Sequence, residues 1–249
     1  QTQAARVVGY FERWRTELPT IECLANATHS QVLRLWSGLG YNSRALRLHS
    51  LAKIIRDKYN GSLPDTYEQL LELPGVGPYT AAAVVAFAHN RPAPVVDVNI
   101  RRVIMHHFNI ESSSISDRQL RALSLEIAPT NKTREWFGAL MDYGALKQTA
   151  RRTGIPKAGV SQSAFEGSDR QIRGWIVKQV LSNRGETIRL RDVQEYWHEK
   201  ALSLGETHTT AIASVNARIW KIVNKLVSDG VVELLHEPSE NEHYIRLPS

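Results

Sequence analysis

The chain has 249 residues, 42% of them hydrophobic, which is enough for one large domain or two ordinary ones with real cores. No run approaches the ~18 consecutive apolar residues of a membrane helix, no targeting segment opens the chain, and its one cysteine excludes internal disulfides and four-cysteine zinc or iron–sulfur sites. The net charge of +6 favours an anionic partner, and its distribution is uneven: residues 1–167 carry 20 basic against 14 acidic residues, whereas residues 168–249 carry 11 of each.

The chain begins at Gln1 without a methionine and enters at once the apolar periodicity of Val7, Val8, Tyr10, Phe11 and Trp14, which reads as a fragment or processed form. Cys23 lies in an apolar run with Ile21 and Leu24 and reads as core filler. Ser or Thr followed three residues later by Gln occurs at Thr28/Gln31, Thr66/Gln69 and Ser116/Gln119, each just before an apolar periodic segment, and predicts helix starts. Helices are expected near 3–16, 20–26, 30–37, 43–59, 67–72, 79–89, 99–108, 117–127 and 132–148, punctuated by Gly61 and by prolines 64, 74, 92, 94 and 129. Residues 149–168 lack periodicity and read as a linker. Beyond them come helices at 169–183, 192–203 and 211–228, a short β-prone stretch at 187–190, and two extended runs at 231–235 and 243–247 joined by a polar turn. Three helices and a hairpin resemble a winged helix-turn-helix.

Leu73-Pro-Gly-Val-Gly-Pro-Tyr-Thr80 joins two of these helices. Gly75 and Gly77 permit unusual backbone and close approach, so that N–H groups at the next helix start face a phosphate oxygen, and Pro78 removes a donor that would otherwise be unpaired. Val76, at the tip, contacts a nucleic-acid strand or packs beneath the turn. The plainer alternative is a helical joint that only packs. Next, Pro94-Val-Val-Asp-Val-Asn-Ile-Arg-Arg-Val103 places a carboxylate at a helix mouth, where Asp97 or Asn99 suits an N-cap. Four histidines, His49, His89, His106 and His107, lack metal-ligand spacing, and Trp136, Trp175, Trp197 and Trp220 fall on apolar helical faces and read as core. Arg218, Lys221 and Lys225 lie along the helix at 211–228, which suits either a recognition helix or a protein partner.

Five collinear segments resemble the catalytic core of the MutY-type adenine DNA glycosylases, of the helix-hairpin-helix glycosylase superfamily: residues 1–14, 36–49, 73–83, 96–102 and 136–145. The resemblance implies an all-α helix-hairpin-helix core over 1–148, to which the residue pattern adds a linker at 149–168 and a winged-helix-like α+β domain over 169–249. It implies an intracellular monomer that removes adenine opposite guanine or 8-oxoguanine from double-stranded DNA, with no membrane partner. Gln1, Thr2 and Tyr41 would then wedge into or contact DNA, while Gly75, Val76, Gly77, Tyr79 and Thr80 form the DNA-gripping hairpin. Asp97 would stabilise the cationic sugar, supported by Asn99. Tyr79 stands where related lyases carry lysine, which implies base removal without a Schiff base and without strand cleavage.

The sequence departs from the family in four places. The family's general-acid glutamate precedes the matched Gln1-Thr-Gln3, so an N-terminally truncated member is expected. No cysteine follows the helix at 132–148, so no iron–sulfur cluster is expected. Residues 168–249 stand where the family's 8-oxoguanine-reading domain would be, and Asn42 replaces a tyrosine. Two rival functions share the features above: a thymine or uracil mismatch glycosylase of the same fold, and a non-catalytic damaged-DNA-binding module.

Overall fold

The computed structural model describes residues 4–111, 113–155, 165–183, 187–203 and 208–248. The chain forms two compact units, one of residues 1–61 with 162–249 and the other of residues 62–161.

The first unit begins with α1 (Ala4–Glu17), α2 (Ile21–Asn26), α3 (His29–Trp36) and α4 (Ser43–Lys58). Thr28 and Gln31 form a reciprocal capping box at the start of α3, and Thr20 caps α2 by accepting from the Cys23 amide. The second unit holds α5 (Tyr67–Leu71), α6 (Pro78–Ala83), a π-helical turn at Val84–Ala88, α7 (Val98–His107), α8 (Asp117–Glu126), α9 (Thr133–Leu146) and α10 (Ala150–Thr153). Ser116 and Gln119 form the second full capping box, at α8, while Thr66 supplies only its half at α5. The chain then returns to the first unit with α11 (Asp169–Ser182), β1 (Ile188–Arg189), α12 (Leu190–Ser203), α13 (His208–Ser228), β2 (Glu233–Glu237) and β3 (Glu242–Arg246).

A helical core followed by a three-stranded antiparallel sheet of order β1-β3-β2 matches the fold class read from the sequence. The β2–β3 hairpin runs in register from Glu233↔Arg246 to Glu237↔Glu242. Within the first unit, Leu24, Val32, Leu33, Ala45 and Ala52 join Ile172, Ile176, Val180, Trp197, Ile219 and Val223 in one buried cluster. The C-terminal helices therefore extend the core begun by α2–α4.

Four features differ from the sequence reading. Cys23 is exposed: on α2 the inward face is carried by Leu24 and Ala25, and Cys23 falls one step off it. Trp136 is 36% exposed, because α9 turns its neighbour Phe137 inward, whereas Trp197 is buried and Trp175 and Trp220 pack against the core. The helix expected over 79–89 changes to π-helical hydrogen bonding after Ala83. Finally, α10, capped by Thr149, is a short helix that the periodicity does not reveal. Among the described residues no helix is long and apolar enough to cross a membrane, and no cluster of His, Cys, Asp or Glu is arranged to hold a metal.

Candidate active site

In the second unit, α5 ends at a turn in which the Val76 amide donates to the Leu73 carbonyl at 3.1 Å. Leu73 is buried and anchors the turn; Gly75, Gly77, Pro78, Tyr79 and Thr80 are exposed, and Val76 is half-buried. The two glycines differ in kind. Gly75 has φ +82, a conformation that favours glycine, while Gly77 has φ −96, which any residue adopts. A Cβ at Gly77 would meet nothing within 4 Å. Nothing inside the protein therefore demands glycine at position 77, and the open space there suits close approach by a partner. Pro78 opens α6, whose first turn has no side-chain cap.

The extended segment before α7 delivers Asp97 to that helix's N-cap, with φ −103 and ψ −176. Its Oδ1 accepts from the amides of Asn99 (2.9 Å) and Ile100 (2.7 Å), and Oδ2 accepts from Asn99 Nδ2 at 3.1 Å. Of the two caps the sequence left open, Asp97 is the one used. An ionised carboxylate offers about four acceptor sites, so these three bonds fix the group and leave acceptor capacity on Oδ2.

Behind this cap lies a chain of contacts that sequence reasoning did not single out. Asn99 Oδ1 accepts from Arg102 Nη1 at 3.3 Å, and the same nitrogen donates to the carbonyls of Gly144 (2.8 Å) and Gln148 (3.1 Å). Arg102 is only 2% exposed, and its charge faces carbonyls at the negative end of the α9 dipole. The approach is close: a Cβ on Gly144 would lie 2.7 Å from the Asn99 carbonyl oxygen. Arg102 and Gly144 both fall inside segments that carry the family resemblance, at residues 96–102 and 136–145. Asp97 is thus held by two layers of support, Asn99 and then Arg102, which ties α7 to the end of α9.

Tyr79, on the first turn of α6, is 45% exposed. Burial first, and the Asp97 carboxylate second, push its phenol above the ordinary tyrosine value, so the hydroxyl stays protonated and can donate. The second unit therefore brings together Tyr79, Asp97 and Asn99 beside the hairpin at 75–80. The π-helical turn follows directly; Arg134 donates to the carbonyls of Phe87 (2.6 Å) and Ala88 (3.1 Å) at its end. Such turns concentrate at functional sites.

Tyr41 belongs to the first unit. It follows a turn whose carbonyls are pinned: Arg6 Nη2 donates to Gly38 O and Trp36 Nε1 to Gly40 O, each at 2.7 Å. Gly38 has φ +97, and a Cβ there would collide with the Tyr10 hydroxyl. Tyr41 itself has φ +50 and is 55% exposed. Four asparagines also have positive φ, but Tyr41 carries a large aromatic into a region that disfavours it. Gln1 and Thr2 lie outside the described residues. A four-cysteine cluster does not fit this chain, whose single cysteine is on α2. Where the family would place it, the end of α9 is held by Arg102, by Gln148 Nε2 donating to the Tyr143 hydroxyl at 3.1 Å, and by the Thr149-capped turn.

The chain is 39% identical over 198 residues to an adenine DNA glycosylase of Mycobacterium tuberculosis, an alignment covering 71% of this chain and 65% of that protein. It is 35% identical over 195 residues to the adenine DNA glycosylase of Mycolicibacterium smegmatis, covering 71% and 67%. The chain thus spans less than two thirds of the length of the first of these relatives. Among solved structures, a thermostable thymine-DNA glycosylase matches with a TM-score of 0.55 at 29% identity, over 61% of this chain and 74% of that one. The family model for HhH-GPD superfamily base excision DNA repair proteins matches residues 1–130, a span that contains the Tyr41 turn, the hairpin, Tyr79 and Asp97. With that span exceeding half its length, the chain belongs to the HhH-GPD superfamily of base excision DNA repair proteins.

Proposed function

We propose that the chain is the DNA-handling core of a monofunctional, intracellular DNA glycosylase that hydrolyses the N-glycosidic bond of adenine mispaired with guanine or 8-oxoguanine. The observation that carries this reading is Asp97: a carboxylate fixed by Asn99 and the α7 amides, with a protonated tyrosine beside it where a lyase would hold lysine. Cleaving the bond builds positive charge on the sugar, and a fixed carboxylate stabilises that charge without reorganising. Tyr79 cannot form a Schiff base, which leaves water as the nucleophile. The hairpin at 75–80 grips phosphate, Tyr41 wedges into the base stack with Gln1 and Thr2, and the mispaired adenine is flipped out at a cost of a few kcal/mol. Protonation of the departing base falls to a carboxylate on the N-terminal side of Gln1. Residues 1–148 supply the glycosylase functions, 149–168 connect, and 169–249 form the winged-helix-like extension; the protein acts as a monomer on duplex DNA.

The test is excision by the full-length protein on duplexes containing A:8-oxoG, A:G, T:G and U:G, followed by alkali. Scission confined to the adenine-containing duplexes is expected. Asp97→Asn keeps a good N-cap, so the fold should survive while the single-turnover rate falls at least ~100-fold. Strand breaks without alkali would refute the monofunctional reading. The likeness to the thymine-DNA glycosylase structure favours one second reading, excision of mispaired thymine or uracil, which scission of T:G or U:G would establish.

A further inference from the structure

Within the first unit, a cavity of about 670 Å³ opens between α11 and the turn that presents Tyr41. Its charged lining consists of Arg6, Arg170, Arg173 and Lys178, and among the described residues no carboxylate lines it. Three of these cations come from residues 168–249, a stretch whose charges balance overall. The imbalance is therefore local, produced by placing cations on one face of α11. Arg173 Nε is buried and has no hydrogen-bond partner among the described residues, a donor left waiting for an acceptor. Arg170 lies over the ring of Phe165, 5.9 Å from its centroid, at the mouth of the same cavity.

The helix that a winged fold would normally insert into a groove is α13. On α13, Arg218 pairs with Asp169 at 2.6 Å and Lys225 with Asp229 at 2.7 Å. The cations of the extension that line the cavity are those of α11.

We propose that this cavity is a phosphate-binding groove through which α11 of the winged-helix-like extension grips the DNA strand next to the Tyr41 wedge. The inference rests on the proposed DNA-glycosylase reading and adds a second grip, distinct from the hairpin. Arg170, Arg173 and Lys178 contact successive phosphates, and Arg6 holds the Gly38 carbonyl so that the wedge and the groove keep a fixed spacing. Phosphate contacts of this kind position the protein and read no bases.

The test measures affinity of the full chain for a fluorescein-labelled A:8-oxoG duplex by anisotropy across a salt series. Each lost phosphate contact should lower the slope of log affinity against log salt by about 0.9. Arg170→Ala/Lys178→Ala should therefore lower it by ~1.8, so that raising salt from about 50 to 200 mM costs roughly 12-fold less affinity than in the parent. Lys178 is exposed, so Lys178→Gln alone keeps the test alive if the double variant fails to fold, with an expected change near 0.9. Arg191→Ala, remote from the cavity and already paired with Glu195, should leave the slope unchanged. A parental slope in both α11 variants overturns the groove while leaving the glycosylase reading intact. No duplex binding by the parent overturns both. Displacement of the duplex by micromolar dAMP would overturn the groove in favour of a mononucleotide pocket.

Discussion

The two glycines of α9 make opposite predictions, and the difference tests whether the Asn99 support is as tight as it looks. A Cβ at Gly144 would lie 2.7, 2.8 and 2.9 Å from the Asn99 carbonyl oxygen, Cβ and carbonyl carbon, distances at which backbone must move. Gly144→Ala should cost up to ~3 kcal/mol in overpacking, offset by ~1 kcal/mol of improved helix propensity, for a net loss near 2 kcal/mol. Gly138, two turns earlier on the same helix, has nothing within 4 Å of its Cβ position. Gly138→Ala should therefore stabilise by ~0.5–1 kcal/mol. Urea unfolding of the two variants would show midpoints displaced in opposite directions, separated by roughly 3 kcal/mol. The same shift of Asn99 would disturb Asp97, so Gly144→Ala should also slow the proposed adenine excision in folded protein at saturating concentration. Equal stabilities for the two alanine variants would refute the close-approach reasoning. Parental excision by a destabilised Gly144→Ala would show that Asn99 does not position Asp97 for the reaction.

Other outcomes follow from the same geometry. Gly77→Val should fold with parental stability, since the space is open and the backbone ordinary, yet weaken duplex binding by ~10-fold or more on every sequence alike, by anisotropy. A loss restricted to one sequence would show that the hairpin reads bases. His49, 1% exposed, is held below the ordinary histidine value by burial foremost and then by Lys53, and half-buried His29 beside it is shifted the same way. Below pH 6.5 the unfolded chain takes up protons that the folded chain refuses, so stability should fall as pH drops from 6.5 through the lowered folded values. His49→Gln should flatten part of that decline in thermal melts from pH 7.5 to 5; an unchanged pH profile would show that these histidines do not carry it.

Helix boundaries were legible in the sequence because they rest on local chemistry: Thr28 with Gln31 and Ser116 with Gln119 close the capping boxes that their spacing implies. The hairpin and Asp97 were legible for the same reason. What escaped depends on contacts between distant parts of the chain. Nothing local marks Gly144 as the point where α9 meets Asn99, 45 residues away, or Arg102 as a buried cation answering the carbonyls of Gly144 and Gln148. Cys23 and Trp136 were misread because apolar neighbours on a helix fix which face is inward only to within one residue's rotation, about 100°. The grouping of residues 1–61 with 162–249 is likewise a property of tertiary packing, which no segment of sequence displays alone.

With Tyr41 as the proposed wedge, its conformation sets stability and repair against each other. Holding a tyrosine at φ +50 costs on the order of 1–2 kcal/mol, and the residue is 55% exposed, so little burial offsets the strain. Tyr41→Asn, a residue that accepts this backbone, should raise the unfolding free energy by ~1 kcal/mol while removing the wedge. A screen that rewards thermal tolerance alone would discard this tyrosine early, and the proteins it enriched would be sturdier and poorer at opening DNA.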